Sequence, residues 1–257
     1  MDILSSATAV TRARDSLHST GIAVVPDVLS YTQCQHTVKL INDLLVKDAS
    51  NSSLFRKEVF HAAILNDLGD QKAQKDESTQ LRSCKTCVAG DQIPPSAAPS
   101  ILYYSEESPL MEFLKQVFDT EHVYRTEDKL GCLNIHVYEP NGDELNWHYD
   151  NGGIAVTILL QEPDEGGVFE YVRQARPAND ASEDAALVKR VLSGEQKPEQ
   201  ANVRAGSLVL IRGNEHLHRV TPVHGVLPRV LAVLSYESTP GVTLNEYTRL
   251  KFFGRCS

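Results

Sequence analysis

Past residue 130 the apolar residues of this chain abandon a helical spacing and begin to alternate, which commits the second half to sheet. Four segments carry the alternation: CLNIHVYE (132–139), GIAVTILLQE (153–162), GSLVLIRG (206–213) and RVLAVLSYE (229–237). In the first, Leu133, Ile135 and Val137 fall on one face and Asn134, His136 and Tyr138 on the other, because successive side chains of a strand point to opposite sides. One face apolar and the other polar but uncharged is the pattern of a strand that lines a site inside a barrel or sandwich. PDEGGVFEY adds a turn and a further strand.

The first half reads helical around one strand. GIAVVPDVLS (21–30) is a short apolar run ended by Pro26, after which Cys34, Val38, Ile41 and Leu45 recur at helical spacing with Ser30 placed as N-cap. Residues 48–100 are rich in Ser, Asp, Gln and Lys and close on DQIPPSAAPS, whose prolines oppose a regular helix; a long, partly ordered segment is predicted. SPLMEFLKQVF (108–118) predicts a second packed helix, with Ser108 as cap and Pro109 at the first helical position. Between Arg176 and Asn202 lies an insertion with a short helical pattern, EDAALVKRVLSG, ended by Gly194.

At 257 residues the chain can bury a sizeable core, and one domain spanning 1–257 is the expectation. Acidic residues outnumber basic ones, 34 to 25, and no Lys/Arg cluster forms a stripe, which argues against a nucleic-acid partner. The N-terminus has no continuous apolar signal-peptide core, and no segment approaches the ~18 apolar residues of a membrane helix. A cytoplasmic protein without membrane contact is expected; nothing in the sequence sets an oligomeric state. Five scattered cysteines favour reduced thiols, and CKTC (84–87), lacking further zinc ligands at similar spacing, reads as two surface thiols.

In NWHYDNGG (146–153), His148 and Asp150 stand two positions apart, so on extended backbone both side chains point to one side and can share an ion. Imidazole nitrogen and carboxylate oxygen suit iron(II), manganese and zinc, and three protein ligands leave positions open for chemistry. A third ligand must come from elsewhere. GNEHLHRVTPVHGVLPRV offers His216, His218 and His224, and alternation does not separate the first two. Arg229 opens the next strand, and a planar guanidinium binds a carboxylate through two parallel charge-assisted hydrogen bonds.

WHYDNGGIAVTILLQEPDEGGVFEYV and AGSLVLIRGNEHLHRVTPVHGVLPRVLAVLSY resemble the jelly-roll core of the Fe(II)/2-oxoglutarate-dependent oxygenases. They are particularly similar to the small enzymes that hydroxylate, or in some relatives halogenate, free amino acids. The resemblance covers roughly residues 97–237, and GIAVVPDVLS resembles the family's opening strand. It implies an α+β fold: a double-stranded β-helix (cupin-like) core over 131–257, with a helical insertion at about 177–201, and a mainly helical N-terminal part over 1–130. The family places its distal histidine before a short apolar-and-proline stretch, with the cosubstrate arginine ten or eleven residues on. HRVTPV matches at His218, and Arg229 follows eleven residues later.

The resemblance thus implies iron(II) on His148, Asp150 and His218, and 2-oxoglutarate held by Arg229. Dioxygen is the oxidant, ascorbate a stimulant, and succinate and CO2 are released as an unactivated C–H bond of a small polar substrate is hydroxylated. Many members carry Ser or Thr two residues after the arginine as a second carboxylate donor; here it is Leu231, so Thr157, Asn134 and Tyr138 are nominated instead. In the related halogenases a small residue replaces the carboxylate ligand to admit halide, so Asp150 favours hydroxylation. For a free amino acid or related amine, Glu170 is expected to meet the ammonium and Arg176 the carboxylate, with Trp147 walling the pocket and Asn151 contacting the substrate. A peptidyl hydroxylase and a non-catalytic metal-binding sensing module are the alternatives, the second disfavoured by the complete ligand set.

Overall fold

The computed structural model describes residues 3–48, 55–62, 80–150, 154–176 and 183–257. Its elements run α1 (Ala7–Thr20), β1 (Ile22–Val25), α2 (Tyr31–Asp48), β2 (Phe55–Ala62), β3 (Gln80–Val88), α3 (Ala98–Tyr104), α4 (Leu110–Phe118) and β4 (Tyr124–Arg125). They continue with β5 (Leu133–Tyr138), β6 (Leu145–His148), β7 (Ile154–Gln161), β8 (Glu165–Gly166), β9 (Phe169–Val172), α5 (Ala185–Leu192) and β10 (Glu199–Ala201). Last come β11 (Leu208–Ile211), β12 (Leu217–Val220), β13 (Val223–His224), β14 (Arg229–Glu237) and α6 (Glu246–Phe253). The larger sheet has the order β1-β11-β7-β14-β5-β3-β2, with β4 on β14; a smaller one has the order β10-β9-β12-β6; β8 and β13 form a ribbon. The two antiparallel sheets make a double-stranded β-helix with flanking helices.

Alternation assigns the faces. Leu133, Ile135 and Val137 of β5, Val156, Ile158 and Leu160 of β7, and Val230, Ala232, Leu234 and Tyr236 of β14 are buried in one core with the helices. The helices present matching stripes: Cys34, Val38 and Ile41 from α2, and Leu110, Phe113, Leu114 and Val117 from α4. Burying each such large apolar side chain contributes roughly 1.5–3 kcal/mol, far more than helix propensity does. Ser30 caps α2 as its sequence indicates, its hydroxyl accepting from Gln33 N while the Gln33 side chain accepts from Ser30 N.

The opposite face of the larger sheet looks into the barrel. Across β14 and β5, Arg229 pairs with Tyr138, Leu231 with His136 and Val233 with Asn134, while Val233 also pairs with Thr157 on β7. The smaller sheet turns His148, Tyr171 and His218 inward and packs Trp147, Tyr149, Val172 and Leu217 outward beneath α5.

The structure corrects the reading of the first half. The described part of 48–100 holds β2, β3 and α3, and β1, β2 and β3 all belong to the larger sheet. β3 hides its period because its inner face carries Lys85, so polar residues fall on both faces of the strand. Helix α3 includes Pro99 in its first turn, where a missing N–H costs nothing. Cys84 and Cys87 are buried on β3 rather than exposed, and no disulfide joins the five cysteines. The insertion adds, beside α5, strand β10 to the smaller sheet. Helix α4 starts at Leu110, with Pro109 rather than Ser108 as N-cap. Helix α6, unread in the sequence, is tied down by buried Asp128, which accepts from Leu130 N, Gly131 N, Leu244 N and the Arg249 guanidinium. No helix among the described residues is long and apolar enough to cross a membrane.

Candidate metal and carboxylate site

His148 ends β6, His218 lies opposite it on β12, and Asp150 follows two residues after His148. The imidazole centroids are 4.1 Å apart, and Asp150 Oδ1 lies 3.6 Å from His218 Nε2 and 3.9 Å from His148 Nε2. One ligand atom from each residue falls within 4.8 Å of the others, so that among the described residues these three form a group that could hold a metal ion.

The tautomers follow from the backbone. His148 Nδ1 lies 2.8 Å from Asn146 O and His218 Nδ1 2.8 Å from His216 O; a carbonyl oxygen only accepts, so each Nδ1 donates. Both Nε2 atoms are thereby aimed at Asp150, and on losing their protons they offer the lone pairs a metal requires. Burial opposes charge on Asp150, but the His218 and His148 imidazoles and the Lys85 amine outweigh it and hold the carboxyl below its ordinary range. Burial likewise opposes charge on His218, and Asp150 more than offsets it, raising its pKa. The carboxylate fits only because residue 213 is glycine: a Cβ there would stand 1.8 Å from Asp150 Oδ2, while Gly213 O accepts from Asp150 N.

His216 precedes β12, so strand alternation does not carry it to the metal face. It is buried with its ring against Gly21, where a Cβ would stand 1.5 Å from Nε2, and its Nδ1 accepts from Gln174 N. Gly21 closes α1 at φ +76°, a conformation that favours glycine on its own account. His224 is exposed on β13.

Arg229 is 3% exposed, and its Nη1 has no hydrogen-bond partner among the described residues. A buried guanidinium with an unused donor is costly unless an anion meets it, and burial alone pushes its pKa down. Its strand partner Tyr138 is fully buried, with the guanidinium 5.7 Å from the ring centroid; burial raises the phenol's pKa, so its hydroxyl remains a donor. Asn134 and Thr157 flank Val233, four residues along β14, which is roughly 13 Å of extended chain. They therefore do not join Arg229 at one carboxylate, and the Asn134 amide donates to Gly131 O instead. Leu231 is turned inward between them, opposite His136.

Two inner residues, Lys85 and His136, have no role assigned from the sequence, although alternation places His136 on the inner face. Lys85 Nζ lies 3.1 Å from His136 Nδ1; the ammonium can only donate, so the ring accepts. Burial pulls Lys85 down to about 8, against the opposing pull of Cys87 and Asp150. His136 is held well below its usual value by burial, then by Lys85, Arg229 and His148, and is neutral. Lys85 sat within a segment read as partly ordered; the alternation of Ser83, Lys85 and Cys87 against Cys84, Thr86 and Val88 was the available signal.

The structure does not bring the nominated substrate residues to the triad. Trp147 and Glu170 lie on the outer face of the smaller sheet, as positions adjacent to or alternating with the inward residues must, and both contact Arg219. The Arg176 guanidinium lies 4.2 Å over the outward Tyr149 ring, with the Glu183 carboxylate nearby. Asn151 lies outside the described residues.

A face of two nitrogens and one oxygen on the smaller sheet, with a buried arginine wanting an anion on the inner face of the larger sheet, is the arrangement of a 2-oxoglutarate- and iron(II)-dependent oxygenase. The fold agrees. The epimerase SnoN from nogalamycin biosynthesis aligns with a TM-score of 0.60 at 13% identity, over 91% of this chain and 82% of its own. AviO1 from Streptomyces viridochromogenes Tue57 aligns at 0.59 and 17% identity, over 90% and 96%. An oxidoreductase of the 2OG-Fe(II) oxygenase family from Burkholderia pseudomallei aligns at 0.52 and 16% identity, over 91% and 92%. SnoN has also been solved in complex with Fe3+, alpha ketoglutarate and nogalamycin RO. No curated protein matches the sequence significantly. The chain belongs to the Halogenase D family, whose model matches residues 5–249.

Proposed function

We propose that this oxygenase hydroxylates an unactivated C–H bond of a small polar substrate, a free amino acid or related amine, while 2-oxoglutarate is converted to succinate and CO2. The observation that carries the reading is the intact His148, Asp150 and His218 face together with the unpartnered Nη1 of buried Arg229. Iron(II), with 2-oxoglutarate and dioxygen, supplies the oxidising power that turns C–H into C–OH, with ascorbate as a stimulant.

The chain's own residues do the rest. His148, Asp150 and His218 hold the metal through Nε2, a carboxylate oxygen and Nε2, with both imidazoles oriented by backbone carbonyls. Arg229 takes the distal carboxylate of the cosubstrate, and Tyr138 stands in for the hydroxyl that Leu231 lacks. Arg229 and Lys85 bring two cations to the inner face of the larger sheet on either side of His136, which suits a substrate carboxylate as the second anion; Lys85 would bind it, with neutral His136 as its support. Asp150 fills the position a halide would need, which favours hydroxylation over halogenation within a family described as halogenases. A chain with no disulfide among its five cysteines suits the reducing cytoplasm.

The test is a screen of free amino acids and related amines for substrate-stimulated succinate release, with mass spectrometry of the products in the presence of chloride. A product heavier by one oxygen atom is expected. A chlorinated product, or no stimulation by any carboxylate-bearing amine, would overturn the reading.

A further inference from the structure

Four side chains form a continuous line across the outer face of the smaller sheet, directly behind the metal ligands. Trp147 is on β6, Arg219 on β12, Glu170 on β9 and Gln200 on β10, and the strand order β10-β9-β12-β6 makes each the neighbour of the next. The Arg219 guanidinium lies 4.6 Å over the Trp147 ring, its Nε and Nη2 reach Glu170 Oε2 at 2.7 and 2.6 Å, and Gln200 Nε2 donates to Glu170 Oε1 at 2.9 Å. Arg219 and Glu170 are register partners, as are Glu170 and Gln200. Trp147 and Arg219 are also the chain neighbours of His148 and His218, so a shift of either outer residue moves a ligand on the opposite face.

The ladder between the two ligand strands is weak where it matters. His218 opposes His148 and Val220 opposes Leu145, so two steps along β12 meet three along β6 and the register shifts beside the ligands. A bulge of this kind leaves a residue outside the ladder and bends the strand, and β6 has only four residues. Backbone hydrogen bonds alone therefore underdetermine the separation of the two imidazoles.

We infer that the line Trp147–Arg219–Glu170 is a strap that sets the distance between His148 and His218, making these three positioning residues for the metal rather than substrate contacts. A largely buried ion pair contributes little net stability against an apolar replacement, whereas a planar guanidinium stacked on an indole and joined to a carboxylate has one preferred geometry. Its main effect is thus on register. The inference rests on the triad binding a divalent metal.

The experiment measures Mn(II) affinity of the intact chain by the electron paramagnetic resonance of free Mn(II), and in parallel the metal-free Tm. Arg219→Ala, Arg219→Lys, which keeps the charge but not the planar stack, and Glu170→Gln are expected to weaken Mn(II) binding about 10- to 100-fold. Their metal-free Tm should fall by only a few degrees. Trp147→Phe, which keeps an aromatic platform, should bind within a few-fold of the natural chain. Val188→Ala, beneath the same outer face in α5, supplies the comparison for a purely structural loss. Unchanged affinity in both Arg219→Lys and Glu170→Gln would overturn the strap, as would Val188→Ala losing as much affinity for the same fall in Tm. Should the natural chain bind Mn(II) no better than His218→Ala, the metal assignment itself falls, an outcome distinct from tight binding across all strap variants.

Discussion

His148 and His218 face each other across two neighbouring strands, and each donates Nδ1–H to the backbone carbonyl two residues before it. The repetition gives both rings the same tautomer and aims both Nε2 atoms at Asp150. His148→Ala, Asp150→Ala and His218→Ala should each abolish iron-dependent succinate formation, whereas His216→Ala, altering the packing on Gly21, should lower Tm and leave metal binding largely intact. Turnover retained without His218 and lost without His216 would reverse the ligand choice.

On the proposed function Arg229 is the charged partner of the cosubstrate, and it is 3% exposed. Losing a hydrogen bond to a charged group costs about 1.5–3 kcal/mol, so Arg229→Ala should raise the 2-oxoglutarate KM about 10- to 100-fold. Titration of succinate formation against 2-oxoglutarate checks this, and an unchanged KM would remove the carboxylate role.

Lys85 is assigned to the other anion. Lys85→Met keeps much of the side-chain volume and removes the charge, so the substrate KM should rise at least 10-fold while the 2-oxoglutarate KM of substrate-free turnover stays put. A rise in the second constant alone would reassign Lys85 to the cosubstrate.

Gly213 is a steric requirement for Asp150. In Gly213→Ala the new methyl would collide with Asp150 Oδ2, so metal affinity should collapse while the metal-free fold survives. Calorimetric titration with Mn(II) alongside circular dichroism separates the two. Metal binding at the natural affinity would mean the loop relaxes freely.

Asp128 gives the stability of the C-terminal helix a pH dependence. Burial opposes its charge, but the Gly131, Leu130 and Leu244 amides and the Arg249 guanidinium together hold its folded pKa below the unfolded value. The sign follows: the contribution is fully present above the unfolded pKa and disappears as pH falls through the folded one, below about pH 4. Asp128→Ala should cost roughly 2 kcal/mol or more at neutral pH, and the difference in Tm from the natural chain should narrow on acidification. A constant difference down to pH 3 would refute the linkage.

Much of the site was legible because its parts are local. HxD spacing and the strand alternation lie in the linear order, whereas the choice of His218, eleven residues before Arg229, rested on the family resemblance. Alternation even held the correction to Trp147, since the neighbour of an inward ligand must point outward. The N-terminal half was less legible. β3 carries a lysine inward, so the apolar period that marks a strand is missing from it, although it lies beside β5 in the larger sheet.

By itself the sequence determined the face on which each strand residue stands, because that follows from covalent geometry two residues at a time. The tertiary structure decided what meets across the barrel: His218 opposite His148, Arg229 opposite Tyr138, Lys85 on His136, and Glu170 locked to Arg219 behind the sheet. Those pairings join segments separated by up to about ninety residues, and their register is set by packing the whole apolar face against the helices, a property no local window contains.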